Sequence, residues 1–373
     1  MAEPDPGLEH TVLGDSSISW IDGEHGGLVY RGFAIEELVP GADYESVVHL
    51  LLFHDPPDTS PPESLVRDLA SRRALEPSIE RLIDRLPPGL SYLDALRTVF
   101  SAMSDAQRAY PPTVAIGLDL IAKAPTALAR IVRRAGRKKP VAPRSELAHV
   151  ANYLWMLEGR EPSVARVAGL ESYFDLLADH GMNASTLALR VVLSTQADLF
   201  SAATAAMAAL KGPAHGGAPA RVTTMLDEIR EPERAVSWIA EALQRKERLY
   251  GFGHRAYKAE DPRSRILKRI ARDVATAERY ALAEAVESAA LEALERQRPG
   301  RRLYTNVEFY GAVVLEGVGL PPPLFTPTFA LARTAGWTAH ALEQTVDNRL
   351  IRPDVRYIGP PPGRRWPRRG ENK

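Results

Sequence analysis

The stretch Asn183-Ala184-Ser185-Thr186-Leu187-Ala188-Leu189-Arg190-Val191-Val192, continuing through Leu199 to Leu210, decides the fold class. Asn183 is a good helix cap, and Leu187, Val191 and Val192 recur at the spacing of one helix face. The alanine-rich run Leu199–Leu210 extends the same pattern, so 183–210 reads as one long helical stretch. That run is too short to cross a bilayer, which takes about 20 apolar residues, and reads as a buried helix. Working outward, residues 263–296 repeat the helical period through Ile266, Ile270, Val274, Leu282, Val286 and Ala290. Ser91 with Asp94 forms a capping box before Leu93, Leu96, Val99 and Phe100. Asp43 can cap a helix through Val47, Val48, Leu51 and Leu52 that Pro56-Pro57 would end. Only residues 17–33 differ: Ser17–Ile21 alternates, Asp22-Gly23 signals a turn, and Leu28-Val29-Tyr30 follows. The fold class is therefore all-α and multi-helical, with a small N-terminal β-hairpin.

A length of 373 residues suits one large domain with a smaller companion. The 47 basic and 47 acidic residues cancel, so neither nucleic acid nor a membrane is expected as partner. The tail containing Arg364, Arg365, Arg368 and Arg369 reads as a solvated terminus. With no cysteine, disulfides, Cys-ligated zinc, iron–sulfur clusters and a thiol nucleophile are excluded. A reducing, cytoplasmic location fits, and the acidic, polar N-terminus lacks a signal core. The nine histidines show no HExxH, and no Gly-x-Ser-x-Gly elbow occurs, so neither a metal site nor a serine hydrolase is expected.

Three glycine- or proline-rich junctions interrupt the helices, each carrying a polar side chain. His215 lies in Pro213-Ala214-His215-Gly216-Gly217, where a nearby helix N-terminus would keep its ring neutral. Taken alone it is as readily a turn histidine. His254 lies in Gly251-Phe252-Gly253-His254-Arg255, with Asp261-Pro262-Arg263 following; a histidine and an arginine on one loop can hold a carbonyl and a neighbouring carboxylate. Glu308 sits between Asn306 and Phe309-Tyr310, where desolvation would raise its pKa toward that of a general base, although a helix-start glutamate reads equally well. Arg333 and Arg352 enter apolar surroundings, where arginines meet anions. His180, in Asp179-His180-Gly181-Met182-Asn183, completes the set.

In combination these motifs resemble the citrate synthases. Leu28–Gly32, His180–Ser185, Lys211–Ala218, Gly251–Arg255, Asp261–Arg263, Asn306–Tyr310, Arg333–Trp337 and Arg352-Pro353 agree in order and spacing, from about Gly7 to Gly359. The closest resemblance is to the second citrate synthases of bacteria. It implies an obligate homodimer with an active site shared between subunits, and a tricarboxylic acid cycle enzyme that is an acyltransferase. The expected domains are a large helical domain (1–216 and 321–373) and a small one (217–320). Position by position, His215 would polarise the acetyl-CoA thioester, Glu308 would remove its methyl proton, and His254 would hydrogen-bond the oxaloacetate ketone. His180, Arg263, Arg333 and Arg352 would bind oxaloacetate, with Arg352 supplied by the partner subunit. CoA is expected at Gly251, Gly253, Arg255, Lys258 and Asn306. No cofactor is required, CoA thioester being a substrate.

Most relatives carry aspartate where Glu308 stands, proline at Thr305 and leucine at Ala214. A 2-methylcitrate synthase using propionyl-CoA differs by one methylene, worth about 1–3 kcal/mol. A non-catalytic ligand-binding paralogue is the alternative from another class.

Overall fold

A computed structural model describes residues 4–58, 62–103, 110–216, 219–297, 299–300 and 303–362. Gly217 and the arginine-rich tail lie outside the described residues. Three short strands, β1 (Ser19–Asp22), β2 (Gly27–Tyr30) and β3 (Phe33–Ala34), form an antiparallel meander in that order. The expected hairpin is its first two strands; β3 adds a third, paired through Val29 with Ala34 and Tyr30 with Phe33.

The rest is helical. Before the first candidate site residue come α1 (Ile35–Leu38), α2 (Tyr44–Phe53), α3 (Glu63–Arg72), α4 (Pro77–Arg85), α5 (Tyr92–Ala102), α6 (Val114–Ala135), α7 (His149–Glu158) and α8 (Val164–Leu177). Then follow α9 (Ala184–Ser194), α10 (Leu199–Leu210), α11 (Pro219–Ile229), α12 (Ala235–Gln244), α13 (Pro262–Val274), α14 (Ala277–Gln297), α15 (Val307–Gly317) and α16 (Phe325–Val346).

The capping residues act as their chemistry dictates. Asp43 accepts from Ser46 N–H at 2.8 Å, and Ser91 Oγ from Asp94 N–H at 3.1 Å. Helix α2 ends at Phe53, before Pro56, because His54 adopts a left-handed conformation with φ 77°. The stretch 183–210 is two helices, not one. Gln196 has φ +67°, the chain turns, and Asp198 caps α10 by accepting from Phe200 and Ser201 N–H. Small alanine side chains then let α10 pack back against α9. Likewise 263–296 is divided between α13 and α14.

Helix α16 is buried from Pro327 to Ala341 and packs on α2, α6, α8, α9 and α10. A helix buried nearly all round belongs in a core, and α16 is the helix on which these five pack. It carries Arg333 into that core.

Candidate active site

Two backbone segments build the first half of the site. The Gly251–Gly253 turn runs antiparallel to Tyr304–Asn306, with Gly253 N–H donating to Tyr304 O at 2.7 Å and Asn306 N–H to Gly251 O at 2.9 Å. Gly251 has φ +88°, and a Cβ there would lie 2.8 Å from Phe309 Cβ, so only glycine fits. This pairing sets His254 and Glu308, distant in sequence, on adjoining segments. Asn306 Oδ1 caps α15 by accepting Glu308 N–H at 3.0 Å, which fixes Glu308 in the first helical turn. Burial pushes its carboxyl up to about 7, against the pull of the Arg248 and Arg263 charges; Asp261 adds to the rise.

His254 Nδ1 accepts backbone N–H groups from Ala256 (3.0 Å) and Tyr257 (3.3 Å). The ring proton therefore resides on Nε2. Burial, then the Arg263 charge, lower its pKa to about 4, leaving a neutral donor. The His180 ring lies edge-on to it at 5.3 Å between centroids, and His180 Nε2 is 3.2 Å from Tyr257 Oη. Burial and the neighbouring Arg263 hold His180 well below the usual histidine range. The preceding residue positions it: Asp179 Oδ2 accepts from Ser19 Oγ at 2.5 Å and from Gly181 N–H at 2.9 Å. Burial alone would raise the Asp179 pKa, but His340, Arg333 and Ser19 overcome it and hold the group below the usual carboxylate range. This loop lies directly on α16, where Gly336 N–H reaches Ala178 O at 3.0 Å and a Cβ at Gly336 would collide with that carbonyl.

Asp261 caps α13 by accepting from Arg263 N–H at 3.1 Å, so Arg263 belongs to a helical first turn; the expectation that it shares the His254 loop is corrected. Pro262 at the first helical position favours that start. The guanidinium forks onto Asp261, Nε to Oδ1 at 3.0 Å and Nη2 to Oδ2 at 2.8 Å. Asp261 Oδ2 also accepts Val307 N–H at 3.2 Å, tying α13 to α15. Burial disfavours the Arg263 charge, yet Asp261 more than restores it and the pKa rises.

On α16, Arg333 Nε donates to Leu177 O at 2.6 Å. Its Nη1 is buried and finds no partner among the described residues. A buried guanidinium with an unspent donor is suited to an anion. Arg333 lies 4.8 Å from the Phe329 ring centre, and that ring meets His215 edge-on at 6.2 Å. His215 Nε2 is 2.9 Å from Ser185 Oγ, and Ser185 Oγ accepts from Trp337 Nε1 at 3.3 Å. Burial and then the Arg333 charge lower the His215 pKa to about 4, and Ser185 stands in the first turn of α9, so the ring also lies at a helix N-terminus.

The structure thus brings together His180, His215, His254, Arg263, Glu308 and Arg333, linked in sequence by ring contacts and by mutual charge effects. Arg352 is not among them: it is exposed on the extended segment after α16. Arg255 is also exposed, 3.4 Å from Gly7 O and 3.7 Å from Glu9, and exposed Lys258 pairs with Glu24. Surface pairs of this kind are weak and leave both cations available. Gly251, Gly253 and Asn306 form the segment pairing itself. Tyr257, Asp179 and Asp261 were not singled out from sequence. Only Asp261 carried a local signal, as a cap residue before Pro262.

Neutral histidines, a carboxyl raised toward neutrality and two buried guanidiniums are groups suited to acid–base chemistry on an anion. Residues 7–354 match the family described as citrate synthase, C-terminal domain. The citrate synthase of Deinococcus radiodurans is 37% identical over 362 residues, covering 95% of each chain. The 2-methylcitrate synthase 1 of Corynebacterium glutamicum is 36% identical, over 95% of this chain and 94% of that one. Among solved structures, the citrate synthase of Thermoplasma acidophilum, in a ternary complex with carboxymethyl coenzyme A and oxaloacetate, superposes with a TM-score of 0.91. It is 28% identical and covers 98% of this chain and 99% of that one. This chain belongs to the citrate synthase family and is an acyltransferase enzyme. Among the described residues, no helix is long and apolar enough to cross a membrane.

Proposed function

We propose that the enzyme condenses acetyl-CoA with oxaloacetate and hydrolyses the citryl thioester, giving citrate and free CoA. The observation that carries this is the inverted order of pKa values: Glu308 at about 7 and His215 and His254 at about 4. Near neutral pH such a site offers a carboxylate base together with neutral imidazole donors.

In this mechanism His215 donates to the thioester carbonyl while Glu308 takes a methyl proton, so charge developing on the enolate oxygen meets a preorganised donor. The enolate carbon attacks the ketone carbon of oxaloacetate. His254, its proton on Nε2, donates to the ketone oxygen as it becomes an alkoxide. His180, Arg263 and Arg333 hold the two carboxylates, and Arg333 Nη1 has a donor to give. Arg352, exposed in one protomer, completes this set from the partner subunit of a homodimer. Residues 217–320 form a small domain that closes over the substrates and excludes water until the carbon–carbon bond has formed. Water then cleaves the citryl thioester. Arg255 and Lys258, with Gly251, Gly253 and Asn306, take the CoA moiety. Neither step calls for a metal or redox cofactor.

The test is release of free thiol from acetyl-CoA in the presence of oxaloacetate. Glu308→Gln should remove most turnover and leave oxaloacetate binding within about twofold, because the proton-transfer group alone is lost. A Glu308→Gln variant as active as wild type would remove Glu308 as the base. The Corynebacterium relative favours a second reading, 2-methylcitrate synthesis from propionyl-CoA. Comparing kcat/KM for the two acyl donors decides between them, since one methylene is worth about 1–3 kcal/mol.

A further inference from the structure

Glu287 lies midway along α14, only 8% exposed, and takes no part in the chemistry above. Its carboxylate accepts three hydrogen bonds: Oε1 from Thr305 Oγ1 at 2.7 Å, and Oε2 from Tyr310 Oη at 2.6 Å and from Lys268 Nζ at 2.7 Å. Thr305 and Tyr310 are themselves buried, and the Lys268 ammonium also stands 5.5 Å from the Tyr310 ring centre. The three donors come from three pieces of the site. Thr305 is in the segment bridged to Phe252, two residues ahead of His254. Tyr310 is on α15, half a turn beyond Glu308. Lys268 is on α13, whose first turn carries Arg263.

We propose that Glu287 is a positioning residue for proton abstraction: its carboxylate grips the chain on both sides of Glu308 and sets where that base stands. The assignment rests on Glu308 being the base. A buried ionised group is costly to desolvate and is a poor stabiliser compared with an apolar side chain of the same size. What it provides here is a fixed register. Charge-assisted bonds to Thr305 and Tyr310 resist a slide or rotation of the α15 N-terminus, whereas apolar packing would tolerate one. Asn306 fixes the backbone of this turn, and Glu287 anchors it to the helix behind. The Lys268 contact extends the same anchor to α13, so the base and the Arg263 guanidinium are referred to one buried point.

Thr305→Val removes one donor without changing shape, and Tyr310→Phe removes the other. Each should lower kcat roughly tenfold, since a misplacement below 1 Å is enough for such a loss, while leaving the oxaloacetate KM within about twofold. With methyl-deuterated acetyl-CoA, the isotope effect on kcat should rise in both, because proton removal becomes more rate-limiting. Thr305→Ser, which restores the hydroxyl, should recover kcat to within about twofold of wild type. Tyr310→Phe and Thr305→Ser carry the test if Thr305→Val fails to fold. Unchanged kcat and isotope effect in Tyr310→Phe or Thr305→Val would overturn the positioning role. So would a loss in which the oxaloacetate KM rises as far as kcat falls and the isotope effect stays put, the mark of general loosening. A wild-type chain without thiol release overturns the base assignment and this inference together; an active wild type with unaffected variants overturns the inference alone.

Discussion

The side-chain amide of Asn306 donates from Nδ2 to the carbonyl of Gly253 at 2.9 Å. The same side chain caps the helix of Glu308 through Oδ1. One asparagine therefore joins the residue before His254 to Glu308, the proposed base. Asn306→Ala is expected to cost about 1–2 kcal/mol of stability through the lost cap. It should lower kcat by a further factor of about 10–100, because the two catalytic segments are no longer held in register. Thermal unfolding and steady-state kinetics on the same preparation separate the two effects. A variant that unfolds earlier but turns over at the wild-type rate would show that the segments are coupled by the backbone pairing alone.

The pH dependence follows from which groups titrate. Glu308 must be ionised to accept a proton, and burial raises its pKa to about 7. Below that value the base is progressively protonated, so kcat/KM is expected to fall about tenfold per pH unit on the acid side. His215 and His254, at about 4, stay neutral throughout that range and add no break of their own. A profile that is flat from about pH 5.5 to 8 would contradict both the burial and the role assigned to Glu308.

A second buried carboxyl lies outside the site. Asp175 on α8 has both oxygens buried without a partner among the described residues. Burial raises its pKa well above the usual carboxylate range, and Glu171, Asp43 and Glu45 add to the rise; Glu171 itself is pushed up to about 7. The folded state thus binds a proton more tightly than the unfolded chain. Stability is then lost as pH climbs from the unfolded carboxylate value through the folded one. Asp175→Asn, which removes the charge, should stabilise the protein at about pH 8 by about 1–3 kcal/mol, a rise of a few degrees in Tm, and give no gain near pH 4. Equal Tm shifts at both pH values would mean that Asp175 keeps its charge buried by some other compensation.

What the sequence by itself determined was whatever depends on neighbours along the chain. The helical period is visible because side chains three and four residues apart share a face. Asp43, Ser91 and Asn183 were legible as caps because a cap acts within three residues of itself. The desolvation of Glu308 could be inferred from Val307, Phe309 and Tyr310 beside it. The motifs containing His180, His215 and His254 stood out by their glycines and by their resemblance to one family. Tertiary structure decided the rest. The break at Gln196 depends on a left-handed residue that α10 needs in order to fold back onto α9, and no periodicity records it. Whether Arg255 and Lys258 face a ligand or the N-terminal segment depends on where Glu9 and Glu24 arrive. That Asp179 lies under Gly336 and that Glu287 collects donors from three segments are facts of packing. Such pairings join residues whose separation in sequence carries no information about their distance. They are fixed only when the whole core, with α16 at its centre, closes around them.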